Sequence, residues 1–488
     1  MIAALLLAVT AIEARDAARD QRREAEGLVQ FMVGDLKEKL QPIGMLEALD
    51  GVGSRVLAYY SKQDMSELSD AALLQRSRAL SLMAEVATAR VDLDGALRLY
   101  REAMAGTAEA IRRDPNDPQR LFEHAQSVFY VAQIMRSRGD QAATERALRE
   151  YKRLGAQMVS LEPDNMKWRM EAQYGDFNLG VALYDQQRFS EATKSFQQAL
   201  GTMQALATAD PDNDEYQKQL SEALAWLADA HLATGRIDEG SALRERHVAL
   251  LKSVIARRGG DVEYRQRLVL GYQRLGNLYA ARGQLDDAEQ SLRAAVSEST
   301  SLLAVEPTNN KWREHNARVK LRLAEFLLAI GNRAEAATLA QSGCAIVNAL
   351  IAKDSSIAQR RATRRDCLLV RSRLAALNGA NADAMALAKA AVEAARTAGT
   401  SDRIGDARAL AEAHRLLGDA YQRANNAEAA RASWQAGIAA LATLANERPS
   451  EIGERAELLE RVGNRTESAR LKARLGAIGI TRADILKV

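Results

Sequence analysis

Glycine recurs along this chain on a ruler with a 48-residue division. Gly139, Gly235, Gly283, Gly331 and Gly379 all fall on it, and Val91 and Gln187 occupy the two lattice positions without glycine. Proline keeps the same step at Pro115, Pro163, Pro211 and Pro307, with Gly259 and Ser355 where it is missing. Self-similarity at a fixed period of this size marks a solenoid or array. A chain of 488 residues is too long for one compact core, whereas an array needs only its neighbours. Aromatics are 5% and prolines only 7, a composition that suits helices.

The clearest unit runs from Asp261 to Asn309. Asp261 is a capping residue, and Ser69, Asp117, Asn165, Asn213 and Asn309 occupy the equivalent positions; all can accept hydrogen bonds from free N–H groups at a helix start. Three residues on stand Trp168, Tyr216, Tyr264 and Trp312. The spacing predicts a first helix from about Val262 to Arg282, a break at Gly283 and a second helix from about Leu285. The second helix ends before Pro307, which disfavours helix at the preceding residue. Leu268, Tyr272, Leu275 and Tyr279 form one apolar stripe, and Leu285, Ala288, Leu292 and Val296 another, at the steps of an amphipathic helix. Two columns of small residues, Gly180, Ala228, Gly276, Ala324 and Ala192, Gly240, Ala288, Ala336, mark places where helices cross closely. The expected fold is all-α: an α-solenoid of antiparallel helical hairpins.

The pattern Tyr272-x2-Leu275-Gly276-x2-Tyr279, followed by Ala288, Leu292 and Ala295, resembles the tetratricopeptide repeat, whose usual period is about 34 residues. The extra length is accounted for by a proline about two helical turns late and a first helix that begins about two turns early. The resemblance implies a right-handed superhelix with first helices on the concave face. The lattice shortens toward the C-terminus, to Ala424 and then Gly463. The expected organisation is an apolar segment and charged linker over 1–20, an atypical hairpin over 21–64 turning at Gln41 to Gly44, the repeat array over 65–448, and a short capping hairpin over 449–488 with a loose tail from Ile480.

The N-terminus carries an apolar run, Ile2 to Ile12, shorter than the roughly 20 residues of a membrane-spanning helix and without the basic lead of a signal peptide. It reads as the tail of a membrane helix, a degenerate signal peptide, or an apolar helix end packed on the array. The segment from Glu26 through Phe31 and Gly34 to Leu36, with Lys39 to Pro42, Leu49 to Gly53 and Tyr59-Tyr60, is similar to the region after the membrane helix in bacterial receptor-like proteins. Those proteins join a TIR or Ser/Thr kinase-like domain to such repeats. The resemblance implies a fragment, or a stand-alone descendant, of such a receptor-like protein; the expected placement is membrane-associated with the array outside the cytoplasm, and a cytoplasmic location is the alternative.

Catalytic patterns are missing from the sequence. It has no kinase signature, no phosphate-binding lysine loop and no histidine–cysteine spacing for a metal. The five histidines, His124, His231, His247, His315 and His414, read as surface or groove residues. Neither a cofactor nor a small-molecule substrate is indicated. The net charge of +3 offers no basic field for nucleic acid. Cys344 and Cys367 stand on opposite sides of the turn near Ser355, level with one another on antiparallel helices; they form either a disulfide or two buried thiols. In the tetratricopeptide arrangement, Asn178, Trp226, Arg274 and Arg322 make one groove column and Asp229, Asn277, Glu325 and Arg373 its neighbour. Their charges are mixed, so neither an acidic nor a basic ligand is favoured. The expected function is a non-catalytic protein–protein interaction scaffold, specifically the extracytoplasmic sensor region of a membrane-tethered bacterial signalling protein. The alternatives are a soluble cytoplasmic adaptor and, remotely, an enzyme built on a helical array.

Overall fold

The computed structural model describes residues 51, 54–58, 68–259, 261–400, 402–444 and 446–482. The N-terminal apolar run and the turn expected at 41–44 lie outside the described residues, as does most of the hairpin expected over 21–64. From Asp70 onward the described chain is built of helices, with no strand among the described residues.

The chain divides into two compact units, 1–186 and 187–488. The first holds α1 (Asp70–Ala89), α2 (Leu93–Arg113), α3 (Pro118–Ser137), α4 (Gln141–Leu161) and α5 (Met166–Asp185). The second begins with α6 (Phe189–Ala209), α7 (Asp214–Ala233), α8 (Ile237–Arg257), α9 (Val262–Ala281), α10 (Leu285–Val305), α11 (Asn310–Ala329) and α12 (Arg333–Lys353). It continues with α13 (Ala358–Leu377), α14 (Asn381–Thr397), α15 (Arg403–Arg423), α16 (Ala427–Leu441), α17 (Pro449–Arg461) and α18 (Arg465–Ala477). Odd-numbered helices are the first members of hairpins. From α1 to α13 they start at Asp70, Pro118, Met166, Asp214, Val262, Asn310 and Ala358, a constant step of 48.

Local chemistry explains the regular starts and stops. The side chains of Ser69, Asp117, Asn165, Asn213, Asp261 and Asn309 each accept from backbone N–H groups of the helix they precede, satisfying donors that a helix start leaves free. After each of the first seven odd-numbered helices the chain turns through a left-handed residue. Gly139, Gly235, Gly283, Gly331 and Gly379 have φ between 76° and 92° there, a region glycine enters without a Cβ clash. In the best-defined unit, Gly283 N donates to Ala280 O (3.1 Å) and Gln284 N to Tyr279 O (2.9 Å), closing the end of α9. Val91 and Gln187 are held at φ 63° at the same lattice points. In the shortened C-terminal region the left-handed residue is Asn425 (φ 59°), not Ala424 as the lattice suggested, because asparagine tolerates this conformation far better than alanine.

The two small-residue columns face one another across the hairpins. A Cβ on Gly276 would lie 2.7 Å from Leu292 Cγ and 3.1 Å from the Ala288 carbonyl; one on Gly240 would lie 2.6 Å from Leu232 Cδ2 and 3.3 Å from the Ala228 carbonyl. In the second unit, successive first helices also touch directly: α9 with α11, α11 with α13, α13 with α15 and α15 with α17. This puts them on the inner side of the curve. The C-terminal hairpin α17–α18 then folds back, and Ile452, Ala456, Leu471, Leu475 and Ile480 share a core with Leu232, Ile237, Leu278 and Ala281. The backbone N–H groups of Thr481 and Arg482 both donate to Ala281 O, each at 3.0 Å. The tail expected to be loose from Ile480 is therefore anchored through Arg482, because Ile480 finds an apolar seat at the end of α9.

Val91 is β-branched, 78% exposed and left-handed, a conformation that costs an L-residue roughly 1–2 kcal/mol. Val91→Gly is expected to stabilise the first unit by up to about 1 kcal/mol once the extra flexibility of unfolded glycine is subtracted. Chemical denaturation measures this; a loss of stability would show that the turn is not strained.

Candidate functional site

The residues of the two predicted groove columns separate into three groups. Asn178 belongs to α5 in the first unit, half-buried, and donates to its own Tyr174 carbonyl at 2.8 Å. The other seven lie in the second unit. Among these, Asn277, Arg322 and Glu325 are buried and hold one another, which takes them out of solvent. Trp226, Asp229 and Arg373 are half-buried, and Arg274 is exposed.

The buried members form part of a ladder of charges across the inner face. Arg322 Nε donates to Asn277 Oδ1, and Arg322 Nη1 to Glu325 Oε2 at 2.8 Å. Arg373 bridges Glu325 (3.2 Å) and Glu412 (2.5 Å). Arg408 donates to the other oxygen of Glu412 at 3.2 Å and reaches toward Glu451, which Arg448 holds at 3.0 Å. The ladder crosses α9, α11, α13, α15 and α17 in order, with acids and bases alternating. Glu412 and Glu451 are almost wholly buried. Removing one partner of a buried pair leaves an uncompensated charge, which typically costs 3–5 kcal/mol.

Beside this ladder lies a stretch whose cations have no such partners. Arg274, on α9, makes no hydrogen bond or ion pair among the described residues. Arg318, one turn before Arg322 on α11, has a buried Nε without a hydrogen-bond partner. Burial, and then the like charge of Arg274, disfavour its charged form, while the carboxylates of Glu314 and Asp366 favour it. Leu270, one turn before Arg274, is 39% exposed. Asp402 also lies within the field of Arg274; although burial opposes ionisation, Arg448, the Gly405 N–H, Arg274 and Arg408 together hold its carboxyl below the usual range. Trp226 on α7 packs at 5.7 Å against the buried Phe196 ring, and Asp229 pairs with the buried Arg244. The columns passed over Arg318 and Leu270. Their signal was present in the helical period, four residues before Arg322 and Arg274 respectively.

The sequence reads the five histidines as surface or groove residues, and the structure buries three of them. His231, His247 and His414 are buried, His124 and His315 half-buried. No cluster of three or more metal-ligating side chains occurs among the described residues. The two cysteines come together, with Cα atoms 5.5 Å apart on α12 and α13. A groove of about 210 Å³ in the first unit is lined by Arg78, Glu123, Gln126 and Tyr130, among others.

Comparison with solved structures places the architecture. The apo form of RapI matches at 12% identity over 85% of this chain and 97% of that one, with a TM-score of 0.57. The apo form of the quorum sensor NprR from B. thuringiensis matches at 10% identity over 87% and 99%, with a TM-score of 0.52. No family model and no curated protein matches the chain. At these identities the likeness is one of fold.

Burial, with the charges of Arg244 and Arg267, lowers His247 to about 3, and burial with Arg318 and Lys311 lowers His315 to about 4. The unfolded chain takes up these protons near pH 6.5 and the folded one far lower. Stability present above pH 6.5 is therefore lost as pH falls toward 4. Thermal melts should show the melting temperature dropping from pH 7 to pH 5, with a shallower drop in His247→Gln; equal slopes would remove His247 as the cause. The fold of this chain is that of tetratricopeptide-like helical solenoids.

Proposed function

We propose that the chain is a non-catalytic interaction scaffold whose second unit takes an acidic, apolar-bearing peptide or protein segment against its inner face. One observation carries this reading. Along the inner face, Glu325, Glu412 and Glu451 are engaged by arginines, while Arg274 and the Arg318 Nε stand without partners beside exposed Leu270. A carboxylate at the exposed Arg274 gains charge-assisted hydrogen bonds, the buried Arg318 Nε lying beneath it, and Leu270 offers an apolar contact. The mixed charge of the two columns reflects internal pairing, and the remainder is cationic.

The test uses two fluorescein-labelled peptides, one alternating Glu and Leu, the other Lys and Leu, in anisotropy titrations against the full chain. The Glu–Leu peptide is expected to bind, weakening with salt, and Arg274→Glu is expected to weaken it by about tenfold, the value of one charged hydrogen bond. Arg274 is exposed, so the variant should melt like the parent. Equal binding of both peptides, or none of either, overturns the reading.

A narrower reading makes the chain the extracytoplasmic sensor region of a membrane-tethered bacterial signalling protein. The apolar run at Ile2 to Ile12 and the placement of Cys344 beside Cys367 support it, since disulfides persist in oxidising compartments. Closing a loop over a separation of 23 residues stabilises by about 3 kcal/mol in the chain-entropy account. Mass mapping of protein from its native compartment, without reductant, should find the linked peptides, and reduction should lower the denaturation midpoint. Two free thiols would favour the cytoplasmic adaptor instead.

A further inference from the structure

The regular packing of the second unit fails at one place. The lattice column Val131, Leu179, Leu227, Leu275 and Leu323 is buried in five successive repeats, and its next member is Arg371, which is exposed. One helical turn on, the column that reads Met135, Leu183, His231, Tyr279 and Leu327 ends in Ala375. Two large apolar side chains are thus replaced on α13, one by an outward-turned arginine and one by alanine. In their place is a groove of about 810 Å³ between α12 and α14, with Arg371, Leu374 and Ala375 on its floor.

The wall of this groove is equally unusual. α12 is the one helix among the described residues long and apolar enough to cross a membrane by length and composition, with a mean hydropathy of 1.2, yet only 33% of that stretch is buried. Its inner side, through Ala336, Ala340, Val347 and Leu350, is array core, which assigns it to the solenoid. Its outer side exposes Ala334, Ala337, Ala345 and Ala349, small residues over which another helix can approach closely. Asp383 on α14 faces the same groove. Neither Arg371 nor Asp383 makes a hydrogen bond or ion pair among the described residues, in a chain where most arginines near an acid are paired.

We propose that this groove is the two-fold interface of a homodimer, in which the α12 faces of two copies pack together and Arg371 of each copy pairs with Asp383 of the other. A two-fold interface is made by one patch meeting itself, so it must be self-complementary. A groove carrying one unpaired cation and one unpaired anion meets that condition; a groove of single sign would repel its copy. The outer face of α12, where alanines alternate with Thr338, Gln341 and Asn348, extends the contact along a 21-residue helix, and burial of its apolar part favours association. The occupant is a second copy of this chain, independent of what binds the inner face.

Sedimentation equilibrium on the full chain tests it. The parent should sediment at twice the 53.3 kDa of the monomer. Arg371→Asp and Asp383→Arg should each weaken the dimer by about tenfold or more, as buried charge pairs do when broken. Mixing the two variants should restore a dimer, because both cross-interface contacts then join opposite charges, and the double variant should dimerise alone. Both residues are exposed, and circular dichroism checks that each variant is folded; Ala337→Glu, on the exposed face of α12, is a further disrupting variant. A monomeric parent at micromolar concentration overturns the proposal and leaves the groove to a different protein. So does a dimer indifferent to the swaps and to Ala337→Glu.

Discussion

A hairpin of two 20-residue helices cannot cover its own apolar faces, and this constraint organises the molecule. Each hairpin must lie against the next, so what matters is that every turn bends the same way and every crossing is equally close. The left-handed residue at each turn sets the first condition, and the opposed small residues set the second. Gly276 against Ala288 and Ala228 against Gly240 bring backbones within contact of carbonyl oxygens, so a Cβ at either glycine would push the hairpin apart. Repetition then follows from geometry, since a fixed turn and a fixed crossing reproduce the same step.

The inner face adds a second layer of order. Arg322, Glu325, Arg373, Glu412, Arg408, Glu451 and Arg448 alternate in sign across five helices. Such charges lose hydration when buried, and their mutual attraction often does no more than offset that loss. What they supply is register, because a shifted helix would leave a buried carboxylate unpaired. The ladder also decides which charges remain for a partner. With its acids engaged, the inner face leaves the exposed Arg274 without a hydrogen bond or ion pair among the described residues.

Departures from the repeat are where the surface becomes individual. At α13 the loss of a leucine and of a bulky residue opens the outer groove, and the shorter helices α17 and α18 let the C-terminal hairpin turn back onto α7 and α9. A strictly periodic array would have no reason to close on itself or to expose an apolar helix.

Much of the fold was legible in the chain itself. The capping residues, the turn glycines, the helix starts and the small-residue columns are local, and their chemistry acts over a few residues whatever the surroundings. The level placement of Cys344 and Cys367 was legible for the same reason, since two antiparallel helices and one turn determine it. Only the tertiary structure decided that Asn277, Arg322 and Glu325 bind one another, that three histidines are buried, that Ile480 is anchored and that Asn425 takes the turn beside Ala424. Each depends on which side chains from distant repeats meet, or on a one-residue choice that the shortened lattice leaves open. A period in the sequence specifies the step between repeats. It does not specify how charged side chains on successive steps share one another, because that is settled by distances across helices and by the cost of leaving a charge buried alone.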